Sequence, residues 1–221
     1  MIIALLGAES TGKSALAHAM ATALQSQGTD AVAVGEYLRE WCAEHGRTPL
    51  QHEQVHIAAT QHARIMEAAQ CHAVVIADTT ALMTAVYSDY VFGDRSLYAK
   101  AVEQQRAIDV TLVSGLDIPW EADGIQRDGA YARPPVDALL RQTLANAHID
   151  YRVIYGLSDD RLHNAIQSIN LHAINSVAAY AVNTWTAEQK HSKKWVWSCD
   201  KCSDPACEHQ LFSQLLKPPS T

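Results

Sequence analysis

No stretch of this chain approaches the ~18 apolar residues that a membrane-spanning helix requires. The opening Met1 to Leu6 also lacks the basic flank and apolar length of a secretory leader. Both absences point to the cytoplasm. Solenoid repeats and low-complexity tracts are missing too, so the pattern is that of an ordinary globular protein. Positive charge is in short supply, with 17 Lys and Arg against 24 Asp and Glu and a net charge of −7. Nucleic-acid backbones are held by clustered cations, so this balance argues against a general nucleic-acid binder. The short basic cluster Lys190 to Lys194 reads as a solvated face. Cysteine is sparse as well. Cys42 and Cys71 stand alone, while Cys199, Cys202 and Cys207 cluster, which in a reducing compartment suggests metal rather than disulfides.

What is present suffices for a sizeable core, since 48% of the 221 residues are hydrophobic. Short apolar strands are expected at Ile2 to Leu6, Ala31 to Val34, Ala73 to Ala77 (ending at Asp78), Val110 to Ser114 and Arg152 to Ile154. Between them lie helical stretches from Ser14 to Gln27, about Pro49 to Gln70, Leu97 to Arg106 and Pro135 to Ala147. This alternation implies βαβ units, and hence an α/β three-layer sandwich with a mainly parallel sheet covered on both faces. Ligands in such sheets gather beyond the carboxyl ends of the strands. Residues 1–169 form the expected domain, and residues 170–221 a C-terminal helical and Cys-rich appendage.

The first strand end carries Gly7-Ala-Glu-Ser-Thr-Gly-Lys-Ser14, the spacing of a P-loop. Gly7 and Gly12 permit the backbone to curl so that the amides of Glu9, Ser10 and Thr11 face phosphate oxygens. Lys13 supplies a mobile point charge, Ser14 a ligand for Mg²⁺, and the following helix its positive dipole end. Asp78, ending the buried run Ala-Val-Val-Ile-Ala-Asp, is the expected second anchor for Mg²⁺. Glu36, just past the second strand, is the candidate acceptor of a proton from an attacking hydroxyl. Arg39, three residues on, would offset the charge of a transferred phosphate. A surface Glu–Arg pair on a helix is the alternative reading of these two residues.

Two further patterns concern zinc. His52-Glu53-x-x-His56 with His62 resembles a zinc-protease helix, but Ala59 stands where that signature needs Gly to turn the chain. Without the turn, six residues advance His62 by about 600°, off the face of His56; the signature is discounted. Cys199-x2-Cys202-x4-Cys207-x-His209 offers four soft ligands suited to a tetrahedral structural zinc. With no open position for water, such a site would fold the tail, and the tail could dock a protein partner or a second copy.

The segments Gly7 to Ser14, Glu36-Tyr-Leu-Arg-Glu-Trp41, Ala77-Asp-Thr-Thr-Ala-Leu-Met-Thr84 and Asp117-Ile-Pro-Trp-Glu-Ala-Asp-Gly-Ile-Gln-Arg-Asp-Gly129 resemble, in order and spacing, the ribosylnicotinamide kinase domain of NadR-type proteins. The resemblance covers about residues 1–168. It implies a P-loop kinase-like fold that uses ATP and Mg²⁺ on a small nucleoside-like substrate. It further implies that the segment from Asp117 is a lid with Arg127 and Arg133 as charge-stabilising fingers, and that Arg161 flanks the adenine. The density of Gly, Asp and Arg in that segment independently fits a mobile polar loop. Two departures concern the acceptor. The family's two stacking aromatics are replaced by Gly35 and Met66, leaving Tyr37, Trp41, Tyr87, Tyr90 and Trp120 as candidate substitutes. The chain has no room for the adenylyltransferase domain of bifunctional relatives, so phosphorylation alone is expected. The reading that follows is transfer of the γ-phosphoryl of ATP to a ribosyl 5′-hydroxyl, with nicotinamide riboside giving its mononucleotide. The alternatives are a different nucleoside or nucleotide acceptor, and a non-catalytic ATP-binding regulatory module.

Overall fold

A computed structural model describes residues 1–121 and 129–176, with the side chains of 170–176 outside that description. Its centre is a parallel sheet of five strands: β1 (Ile2–Leu6), β2 (Ala31–Val34), β3 (Val74–Asp78), β4 (Val110–Ser114) and β5 (Arg152–Ile154), in the order β2-β3-β1-β4-β5. The strands β1, β3 and β4 are buried at every residue. Strands covered on both faces read as unbroken apolar runs rather than alternating ones.

Alternation along β1 nevertheless sorts the core. Ile3 and Leu5 face one side, where Leu16 and Met20 of α1 (Lys13–Ser26) meet Ala165, Ile166 and Ile169 of α7 (Ser158–Ser176). Ala4 and Leu6 face the other. There they meet Leu82 and Val86 of α4 (Ala81–Phe92), Ala101 of α5 (Tyr98–Arg106) and Leu140 and Leu144 of α6 (Arg133–Asn146). Helix α3 (Gln54–Cys71) packs Ile65 against Val75 and Ala77 of β3. Short α2 (Tyr37–His45) covers the mouth of β2 and buries Trp41 and Cys42 against Ile57. Helices on both faces of a parallel sheet make the expected three layers.

Helix α7 is absent from the sequence expectation, which reads its first residues as a loop, and so is α4. The residues of α4 are apolar nearly all round, because it is sandwiched between β1 and β4 on one side and α3, α5 and α6 on others. An apolar helix without a polar face leaves no 3.6-residue stripe to read. Helix α7 runs through residue 169 to Ser176, and the compact unit extends equally far. Among the described residues, no helix is long and apolar enough to cross a membrane.

Candidate active site

The loop between β1 and α1 is built by its glycines. Gly7 has φ 138° and Gly12 φ 74°, both in territory that a side chain strains. Space is tight for a side chain there too. A Cβ on Gly12 would lie 2.9 Å from Ile118 Cδ1, and one on Gly7 would lie 3.1 Å from Ser114 Cβ and 3.2 Å from Ser114 O. Ser10 also takes a positive φ, 54°. Inside the bend, Ala8 O accepts from Thr11 Oγ1 at 2.8 Å and from Lys13 Nζ at 2.8 Å. Lys13 thus folds back over the loop at the N-terminus of α1, where the backbone amides lack helical partners.

Parallel pairing of β1 with β3 sets Asp78 opposite Leu5, one strand over from the loop. Asp78 is 3% exposed, and its Oδ1 finds no hydrogen-bond donor among the described residues. A buried carboxylate oxygen without a donor is costly unless a cation or ligand satisfies it. Carboxylate and hydroxyl oxygens, as on Asp78 and Ser14, are the hard donors that Mg²⁺ prefers.

Beyond Lys13 a cavity of ≈ 140 Å³ opens between the loop, α2, α3 and α4. Gly7, Glu9 and Lys13 line its loop side, and Glu36 and Arg39 its far side. Glu36 sits at the N-cap position of α2 without capping it through its side chain, and accepts from Arg39 Nε at 3.0 Å, so the two candidate residues form one ion pair facing the cavity. The remainder of the wall is largely apolar, with Leu38, Ile57, Met83, Val91 and Phe92.

Several lining residues were not anticipated from sequence. Gln61, 1% exposed, accepts from Tyr37 N at 2.7 Å and donates to Gly35 O at 3.2 Å, tying α3 to the turn that presents Glu36. Gln54, Thr79 and Thr84 also face the cavity. A Gln at a helical core position carries no motif of its own; the one available signal is its place on the otherwise apolar face with Ile57 and Ile65. Of the five aromatic substitutes, Tyr87 lines the cavity, and its hydroxyl accepts from Glu9 N at 3.0 Å. Trp41 instead stacks on His45 at 4.0 Å, and Tyr37 packs edge-on to His56 beneath the Arg64 guanidinium. Gly35 and Met66 lie at exposed places outside the cavity wall.

The segment after β4 closes against the loop. Glu9 accepts from Trp120 Nε1 at 3.3 Å and Gly129 N at 3.1 Å, while Ser10 Oγ accepts from Glu121 N at 2.8 Å. Arg133 is 6% exposed and donates from Nη2 to Leu116 O at 3.3 Å, so it braces the base of this segment. Arg161, 3% exposed, lies under the loop with both terminal guanidinium nitrogens donating to protein acceptors. Arg127 falls outside the described residues, as do Cys199, Cys202, Cys207 and His209. Glu53 of the protease-like pattern is engaged by Arg47, at 2.7 Å from each of two nitrogens, and by Leu50 N at 2.7 Å.

Sheet order, loop geometry and the acid beside it define a P-loop α/β domain with the fold of P-loop kinases. The chain belongs to the AAA domain family, whose model matches residues 2–161. Comparison with curated proteins finds no match. Among solved structures it is similar to NadR protein in complex with NR, at 17% identity and a TM-score of 0.62 over 81% of this chain and 52% of that one. It therefore spans about half the length of that protein. It is also similar to thymidylate kinase from Ehrlichia chaffeensis (16% identity, TM-score 0.53, 77% of this chain and 97% of that one). Deoxyadenosine kinase from M. mycoides gives 12% identity and a TM-score of 0.51, over 77% of this chain and all of the other.

Proposed function

We propose that this protein is a phosphotransferase that moves the γ-phosphoryl of ATP to the ribosyl 5′-hydroxyl of a nucleoside-like acceptor, with nicotinamide riboside as the first candidate. The observation that carries the reading is the shared cavity. Lys13 of the loop and the Glu36–Arg39 pair line the same space, so a phosphate held by the loop would lie next to an acceptor held by α2 and α3. The likeness to NadR and to nucleoside and nucleotide kinases supports the choice of acceptor class.

In this reading the loop amides of Glu9 to Gly12 hold the phosphates and Lys13 leaves the Ala8 carbonyl to reach them. Ser14 and Asp78 would hold Mg²⁺, which when bound neutralises charge on the phosphates. Glu36 accepts the proton of the attacking hydroxyl, and Arg39 fixes the Glu36 carboxylate while offsetting negative charge on the moving group. Arg127 and Arg133 are assigned to the lid by family resemblance; in the present geometry Arg133 holds that segment at Leu116. Catalysis of this kind is mostly positioning and electrostatics. The apolar wall would exclude water and so favour transfer over hydrolysis of ATP. A structural zinc in the tail, held by Cys199, Cys202, Cys207 and His209, is a separate proposal, checked by counting metal per chain in protein purified without added zinc.

The test is transfer of labelled γ-phosphate from ATP across a panel of nucleosides and nucleotides that includes nicotinamide riboside. Turnover of a ribosyl acceptor at its 5′-hydroxyl is expected. ATP binding without turnover of any acceptor would refute the phosphotransferase and leave a regulatory nucleotide-binding module.

A further inference from the structure

Arg161 and Thr11 are 150 residues apart, yet Arg161 Nη2 donates to the Thr11 carbonyl at 3.0 Å. The same guanidinium donates from Nη1 to Asp117 Oδ1 at 3.1 Å and to Gly156 O at 3.0 Å. Asp117 Oδ2 in turn accepts from Gly156 N at 2.6 Å. Three segments therefore meet at one planar cation: the phosphate loop, the chain after β4, and the turn after β5. The Arg161 residue is 3% exposed, its charge is balanced by the partly buried Asp117 carboxylate, and its plane is set by fixed acceptors.

The bond to Thr11 has a consequence for the next amide. In a trans peptide the C=O and the following N–H point to opposite sides, and no described peptide is cis. With Thr11 O drawn toward Arg161, the N–H of Gly12 is turned the other way, away from Arg161. Gly12 at φ 74° has no side chain to oppose rotation of that peptide plane, so an external tether has a degree of freedom to remove.

We infer that Arg161 is a positioning residue for the phosphate loop: through the Thr11 carbonyl it aims the Gly12 amide at the bound phosphate, and it makes no contact with the nucleotide base. The inference rests on reading the loop as a phosphate cradle. Binding energy routed through this residue should depend on the phosphate chain alone and be indifferent to the base.

The experiment measures binding of inorganic tripolyphosphate, MgATP and MgGTP to the full chain by calorimetry, for the wild type, Arg161→Met and Arg161→Lys. Arg161→Met should weaken tripolyphosphate and ATP by the same factor, about tenfold for one misdirected hydrogen bond, and Arg161→Lys should weaken both by a smaller common factor, with the ratio of ATP to GTP affinity unchanged in each. Lysine keeps the charge facing Asp117 but cannot serve all the acceptors at once, so it should recover part of the loss. Loss confined to ATP, with tripolyphosphate intact, would put Arg161 on the adenine and overturn the inference. So would undiminished tripolyphosphate binding in a folded Arg161→Lys. A second reading needs no variant: the Gly12 amide proton of the wild type should move downfield on addition of tripolyphosphate, and an unmoved resonance counts against the inference. A wild type that binds tripolyphosphate yet phosphorylates no acceptor would sink the proposed reaction and spare this role. Indifference of the wild type to tripolyphosphate would sink both.

Discussion

Lys13 is bonded to the Ala8 carbonyl at 2.8 Å, so in the proposed reaction its ammonium exchanges a main-chain acceptor for a phosphate. Replacing it removes a charge that matters in the transition state and disturbs little packing. Lys13→Ala should cut transfer by about 10³-fold or more while the melting temperature stays within a few degrees, as followed by phosphate-transfer assay and thermal denaturation. Glu36 belongs to the other side of the same cavity. Glu36→Gln keeps the shape and a hydrogen-bond acceptor for Arg39 but removes the proposed base, so turnover should fall by about 10²- to 10⁴-fold with ATP affinity nearly unchanged. Equal loss of ATP affinity would place Glu36 on the nucleotide instead. Both residues are readable from sequence, because each follows a strand end at a fixed offset. Gln61 is not, since its role consists of bonds to Tyr37 N and Gly35 O, more than twenty residues away.

Element boundaries carry their own chemistry. Thr80 caps α4: its Oγ1 accepts from Leu82 N at 3.3 Å and donates to Gln105 Oε1 at 2.7 Å, and Gln105 Nε2 donates on to Thr111 Oγ1 at 2.9 Å. Thr80→Ala leaves a buried amide oxygen unmet and uncaps the helix, so stability in urea should fall by about 1–3 kcal/mol. At the start of α3, hydrogen bonds from Arg47 and then from the Leu50 amide hold the Glu53 carboxyl down to about 2. The folded value lies below the unfolded one of about 4.3, so this stabilisation is present above that value and is lost as pH falls toward 2. Because the pair is at the surface, the effect is small. The melting temperature of Glu53→Gln should trail the wild type at pH 7 and meet it near pH 2; a gap independent of pH would count against this reading. Strands β1, β3 and β4 were legible as elements since burial on both faces leaves plain apolar runs. For α4 the same all-round burial erases the helical stripe.

At the scale of the molecule, the sheet separates two cores. Ile76 belongs to the layer beneath α1 and α7, and Leu140 to the layer beneath α4, α5 and α6. Ile76→Val should cost about 0.5–1.5 kcal/mol and Leu140→Ala about 2–5 kcal/mol. Their sum should match the double variant within about 0.5 kcal/mol, because no side chain is shared across the strands. A larger coupling, measured by denaturant titration of the four proteins, would show that strain passes through the sheet. What the sequence determined alone was local: five strands, most of the helices, the bend at Gly7 to Ser14 and acids at two strand ends, each encoded by neighbours along the chain. Tertiary structure alone decided the order β2-β3-β1-β4-β5, the cavity that brings Lys13 and Glu36 to one space, and the placement of Arg161 under Thr11. Those features join residues remote along the chain, and a contact between such residues depends on how whole layers pack, which no local spacing records.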